Sequence, residues 1–246
     1  MKPLAGMKLL AAVNLLAVVA LRGGLCVAGE ADAPDSELKP FSAHYVANWK
    51  GINVAVSDIE LKAGDAPDEY VYRWSVAARG VFRVVYSDPV IQTSWLKVEG
   101  GHVRPQKYRG EEGGSSVEVE FDWPNMHATG MSEKKPLDLA LEDGAQDLNS
   151  IQVEIMMDLR NGELPKTFQI LDKDALKDFD YVNEGSAKIR TELGELDTIV
   201  VTSQRQGNDR VLRMWFAPSL GFVPVQAERT RHGNLEFAMH IKSITR

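Results

Sequence analysis

The chain has 246 residues, 44% of them hydrophobic, with 28 basic and 35 acidic side chains, a formal net charge of −7 and one cysteine. An acidic chain is repelled by nucleic-acid phosphates and by anionic lipid surfaces, which argues against both as partners. One cysteine excludes an internal disulfide framework, and the length provides for one large β domain or two small ones.

The first residues have the layout of a secretory signal peptide. Lys2 and Lys8 precede an apolar run from Leu9 to Leu21, which leads into the small residues Cys26-Val27-Ala28-Gly29. The run is too short to span a bilayer, and nothing later in the chain is both long and apolar enough to do so. Residues 1–28 therefore read as a signal peptide that sends the protein to the periplasm, with cleavage near Ala28 or Ala33. Acylation of Cys26 is the weaker reading, because Leu25 stands where a lipoprotein signal carries a small residue. Cleavage near Ala28 leaves 25 basic against 35 acidic residues and no cysteine at all. Residues 29–40, acidic with Ala and Pro, read as a flexible leader to a single antiparallel β-rich domain over 41–246.

From Phe41 the two-residue period of β-structure takes over. Phe41, Ala43, Tyr45, Ala47 and Trp49 alternate with more polar neighbours up to Gly51. Ile52, Val54 and Val56 then lie on one parity and Ile59 and Leu61 on the other, which predicts a bulge near Ser57-Asp58. Tyr70, Tyr72, Trp74, Val76 and Ala78 share one face of a clear strand. Val81 to Tyr86 is apolar without a period, equally a short strand or a helical turn. Val90 to Val98 reads as a strand with Ile91 and Trp95 on one face, and Val103 to Arg109 as its return. After Gly113-Gly114, Val117, Val119, Phe121 and Trp123 alternate with Glu118, Glu120 and Asp122 until Pro124-Asn125.

One long helix is predicted. With Asp147 or Asn149 as cap, Leu148, Ile151, Ile155 and Leu159 form an apolar stripe, Arg160 stands in the last turn and Asn161-Gly162 is the stop. Strands resume after Pro165, around Phe168 and Ile170, Phe179 and Tyr181, and Ala187 to Thr191. Leu196 to Gln204, Val211 to Ala217, Phe222 to Arg229 and Leu235 to Ile244 follow, with turns at Gly194, Gly207-Asn208-Asp209 and Gly233-Asn234. In the last of these Leu235, Phe237, Met239 and Ile241 all have one parity. The expected fold is mainly β: a curved antiparallel sheet or partly open β-barrel of about a dozen strands, with one covering amphipathic helix.

No spelling of a catalytic or phosphate-cradling motif is present. Gly113-Gly114-Ser115-Ser116 enters a strand rather than a helix and reads as a turn. The five histidines read as solvent-exposed; His232 at a hairpin tip and His240 lie roughly 20 Å apart at about 3.4 Å per residue, too far to share a metal. Glu118, Glu120 and Asp122 recur about every 7 Å on one face, a spacing that glycosidase carboxylates share. With no apolar neighbour to raise a pKa there, the ladder reads as a wet surface, and neither a catalytic residue nor a cofactor or metal site is assigned. The aromatic strands are more suggestive, as a packed core or as a concave face that accepts an apolar ligand. Trp49, Trp74, Trp95 and Trp215 from the strands, with Ile151 and Ile155 from the helix, are the candidate lining residues.

Several pieces, in this order, carry a resemblance to a family. They are Phe41-Ser42-Ala43-His44-Tyr45, Gln146-Asp147-Leu148-Asn149-Ser150, Arg160-Asn161-Gly162, Leu212-Arg213-Met214-Trp215-Phe216-Ala217-Pro218 and Phe222-Val223-Pro224-Val225. The chain from Phe41 onward resembles the exported bacterial proteins grouped as domain of unknown function 3108, which implies secretion and a β-rich fold and supplies no catalytic residue. The layout also looks like that of the periplasmic lipoprotein carriers, an analogy of architecture that transfers no function. The expectation is thus an exported protein that carries an apolar or amphipathic, lipid-like ligand between the inner sheet face and the helix. The alternative is a non-enzymatic envelope scaffold with a solid core.

Overall fold

In a computed structural model of the chain the described residues are 38–164 and 167–246; the expected signal peptide, Cys26, residues 29–37 of the leader and Pro165 lie outside them. The alternating segments become strands of one sheet, and 67% of the structure is strand. In chain order these are β1 (Phe41–Trp49), β2 (Ile52–Ala63), β3 (Glu69–Ala78), β4 (Val90–Glu99), β5 (His102–Glu112), β6 (Ser115–Asp122), β7 (His127–Ser132), β8 (Lys135–Ala140) and β9 (Gln146–Asp147). The helix α1 (Ser150–Asn161) follows, then β10 (Thr167–Asp172), β11 (Ala175–Thr191), β12 (Gly194–Arg205), β13 (Arg210–Ala217), β14 (Val223–Arg231) and β15 (Asn234–Thr245).

The strand order across the sheet is β8 to β1 in descending sequence, then β15 down to β9. Two meanders are therefore joined where the first and last strands pair, Ala43 opposite Ile244 and Tyr45 opposite Ile241. The sheet is strongly curved and not closed into a barrel. Neighbouring strands are antiparallel except β9 and β10, which are parallel, Gln146 opposite Ile170 and Asp147 opposite Leu171. The crossover that permits this exception is α1, since parallel neighbours need a connection longer than a hairpin.

Curvature brings β9 against β5, beyond its ladder partner. Side chains rather than a ladder make that contact, Gln146 Nε2 donating to the Val103 carbonyl at 2.8 Å; one strand further on, Ser94 Oγ of β4 donates to Asp147 Oδ2 at 2.7 Å. The same carboxylate starts the helix. Its Oδ1 accepts the N–H groups of Asn149 and Ser150, each at 2.8 Å, which satisfies two donors that a helix N-terminus leaves open. Asn149 is the boundary residue, but its side chain makes no capping bond. At the other end Gly162 takes φ 77°, the left-handed conformation that lets Glu163 N–H reach the Asp158 carbonyl at 2.8 Å.

The helix differs from the expected single stripe. Ser150, Ile151 and every residue from Val153 to Leu159 are buried, including Glu154 and Asp158. It sits in the trough of the sheet against β4, β5 and β9 rather than lying over it with a wet face. The main core joins Phe41, Tyr45, Ile59, Leu61, Tyr72 and Ile241 to Ile151, Ile155 and Phe216, and Leu38 belongs to it too. A second cluster, with Tyr108, Val119, Phe121, Trp123 and Leu171, packs under β5 to β8. In the main core the Tyr45 hydroxyl donates to the Pro224 carbonyl at 2.7 Å. Tyr45→Phe leaves that buried acceptor unpaired, with an expected loss of about 1–2 kcal/mol in urea unfolding.

Other differences are local. The bulge expected near Ser57-Asp58 is absent: Ala55, Ser57, Ile59 and Leu61 all point inward, and the β1–β2 register shifts at Ala47/Asn48, opposite Asn53 and Ala55. Ser57 keeps the inner parity although it is polar, which imitated a switch. Val81 lies in a short 3-10 turn, Gly80–Val84. The hairpin β7–β8 and the short β9 lie outside the expected elements. In β15 Ile241 is buried and Phe237 and Met239 are half-buried, while Leu235 is exposed at the sheet's end.

Candidate ligand cavity

The inner face changes character along each strand, and that gradient makes the site. In β3, Tyr70 and Tyr72 are buried while Trp74, Val76 and Ala78 are half-buried. In β15, Ile241 is sealed into the core, Met239 and Phe237 are half-buried and Leu235 is exposed. Packing is thus complete at one end of the trough and incomplete toward the other. Beside the first turn of α1 this leaves a cavity of about 320 Å³. Tyr72, Trp74, Ile59, Met214, Phe237 and Met239 line it from the sheet, and Leu148, Ile151 and Gln152 from the helix end. Its polar groups are few: Gln92, Gln152, Ser203 and Arg229, besides Asn149 and the tyrosines. Burial holds the Tyr72 and Tyr181 hydroxyls protonated, so the tyrosines offer neutral wall. Arg229 lies over the Phe237 ring at 4.7 Å and pairs with Glu236 at 2.8 Å, a charge fixed at the edge of an apolar space. A volume near the lower bound of ligand pockets fits one apolar chain or ring system with a polar end.

A second, wider cleft of about 790 Å³ adjoins it, and Phe237 lines both. Trp49, Val54, Val76, Phe82, Val85 and Tyr86 form much of its wall.

Of the candidate lining residues, Trp74 and Ile151 face the 320 Å³ cavity. Trp49 stands at the wider cleft, 42% exposed, with the Lys50 ammonium 4.9 Å from its ring. Trp215 and Ile155 are packed in the core. Trp95 is exposed on the other face of β4, because the inner parity there belongs to Ser94 and Leu96. Tyr72, Met214, Phe237 and Met239 line the cavity too; their strand parity is readable in the sequence, their convergence is not.

The histidines mostly have carboxylate partners. His44 meets Asp58 at 2.7 Å, His127 meets Asp138 at 2.8 Å, His232 meets Asp209 at 2.5 Å and His102 meets Glu154 at 3.0 Å. The ladder of Glu118 and Glu120 is bridged by Lys107 at 2.5 and 3.5 Å, a solvated surface as expected. Among the described residues, His102, Glu154 and Asp158 bring ligand-type atoms within 4.8 Å of one another. Both Glu154 oxygens are already engaged, one with His102 and the other with the Val103 N–H, so the trio reads as a seam between helix and sheet. Burial, and then the Glu154 charge, pushes Asp158 up to about 7, and burial pushes Asp147 up to about 6 against the pull of its hydrogen bonds. The hydrogen bond to Glu154 raises His102.

These shifts fix a sign. An unfolded Asp loses its proton near pH 4, while Asp147 and Asp158 in the fold keep theirs to about 6 and 7. The native state therefore holds more protons in that window, and stability falls as pH rises through it. His102 acts the same way, its contribution present below its ordinary pKa and lost as pH rises through the raised one. His240, lowered by burial, acts oppositely. Urea unfolding is expected to show a loss on the order of 2 kcal/mol from about pH 5 to about pH 8, most of it abolished by Asp158→Asn.

A family model described as "Protein of unknown function (DUF3108)" matches residues 44–237. No curated protein matches the sequence. Among solved structures, the crystal structure of a candidate lipoprotein from Parabacteroides distasonis ATCC 8503 is similar, at 8% identity and a TM-score of 0.36, over 85% of this chain and 96% of that one. Among the described residues, no helix is long and apolar enough to cross a membrane.

Proposed function

The chain belongs to the DUF3108 family of proteins of unknown function, and we propose that it binds an apolar or amphipathic, lipid-like ligand in the cavity between the concave sheet face and the first turn of α1. The observation that carries this reading is the incomplete packing around Trp74, Ile151, Met214 and Phe237, a space walled by large apolar side chains and bounded by a few polar ones. A sheet evolved only as a scaffold gains nothing from such a void, since unfilled core volume costs stability. The proposal includes export to the periplasm, supported by Lys2, Lys8 and the run Leu9 to Leu21. It takes 1–28 as the signal peptide and 41–246 as one binding domain.

Titration with a soluble acyl-chain fluorophore tests the reading. Saturable uptake at about one probe per chain, with quenching of Trp emission, is the expected result, and a probe that stays in water at all protein concentrations would leave the solid scaffold. The mass of the protein recovered from the periplasm tests the cleavage site.

A further inference from the structure

We infer that the open end of the sheet docks on an anionic lipid bilayer, through the segment Gly80–Tyr86 and the β1–β2 turn. Eleven large apolar side chains are exposed among the described residues, and seven of them share this end. In the segment after β3, Val81, Val84, Val85 and Tyr86 are 78, 87, 74 and 65% exposed, and its 3-10 turn buries no residue. Trp49 and Ile52 flank the neighbouring turn, and Leu235 begins β15 beside them. The other four, Trp95, Met131, Val182 and Leu193, are scattered over the sheet. An apolar patch of this kind marks an interaction surface rather than chance exposure.

Charge selects the occupant. Lys50, Arg79 and Arg83 stand on the same end with no carboxylate partner among the described residues, and Lys50 lies over Trp49. Nearby, Asp88 and Glu112 line the cleft, and Glu236 beside Leu235 is already paired with Arg210 and Arg229. A net charge of −7 argues against an anionic surface only for the body as a whole. At physiological salt, fields fade over roughly 8 Å, so the end that touches is the end that counts. Trp and Tyr beside Lys, Arg and aliphatic side chains suit the boundary between headgroups and acyl chains. A second copy of the chain fits less well, because a two-fold contact through this end would set the same cations against themselves.

The inference goes beyond ligand binding in the cavity and stands without it. The test uses the full chain and vesicles of phosphatidylethanolamine and phosphatidylglycerol with brominated acyl chains, read by quenching of Trp emission. Wild type is expected to be quenched, Trp49→Phe to lose most of that quenching, and Val84→Asp with Val85→Asp to bind about tenfold more weakly. The Val84→Asp, Val85→Asp variant changes exposed positions outside the 320 Å³ cavity and is expected to take up the soluble acyl probe as wild type does, which keeps the two ideas separable. Quenching that is the same in wild type and both variants, or as strong on brominated phosphatidylcholine alone, overturns the inference. So does a wild type that is never quenched but forms a dimer that the Val84→Asp, Val85→Asp variant cannot form.

Discussion

Asp147→Ala is expected to cost about 4 kcal/mol in equilibrium urea unfolding. Three donors lose their acceptor at once: Ser94 Oγ from β4 and the N–H groups of Asn149 and Ser150 at the head of α1. All sit in the interior, where an unpaired donor costs about 1–3 kcal/mol. Relief from burying a carboxylate offsets part of that sum, since burial already pushes this group up to about 6. The same residue connects the last strand in the sheet order to β4, so the loss loosens the curl as well as the helix. Asp147→Asn keeps an acceptor for the two N–H groups and is expected to cost about half as much or less. Were Asp147→Ala to unfold within about 1 kcal/mol of wild type, the bridge from β9 to β4 would not be what holds the sheet curled.

The second large effect concerns binding. Ala227 is 5% exposed and lines the 320 Å³ cavity opposite the helix end. A phenyl ring there enters space that is already empty, so Ala227→Phe is expected to remain within about 1–2 kcal/mol of wild-type stability. Uptake of the acyl probe is expected to weaken at least about tenfold, because the ring occupies the volume the ligand needs. Unchanged uptake in a folded variant would move the binding site elsewhere.

The architecture was legible where large side chains alternate with polar ones. Tyr70, Tyr72 and Trp74 have the inner parity that their spacing predicts, and the helix ends at Gly162 as Asn161-Gly162 implied. Where the inner face is small or polar, the sequence is mute. In β7 the inward residues are Ala128, Gly130 and Ser132, and Gly130 is needed because a Cβ would come 2.0 Å from the Glu118 carbonyl oxygen of the next strand. Trp95 misled for the converse reason: its inward neighbour Ser94 is polar because it serves Asp147, a partner 53 residues away. Fold class therefore follows from local periodicity, while the curvature and the clasp depend on long-range hydrogen bonds between residues that look like ordinary strand and cap positions.

The cavity was less legible than the sheet. Trp74 and Ile151 could be named as lining residues, yet Trp215 and Ile155, of the same chemistry, fill the core completely. What separates them is position along the trough, and nothing in a two-residue period encodes that. His102 and Glu154 illustrate the same limit, since an exposed histidine at the start of β5 meets a buried helix carboxylate across 52 residues.

Native mass spectrometry of the protein taken gently from the cells that make it tests the ligand reading most directly. The expected spectrum carries an added mass that extracts into organic solvent as an apolar or amphipathic molecule and that is missing from Ala227→Phe. A spectrum of the bare polypeptide alone, from a protein that also excludes every acyl probe, would contradict it.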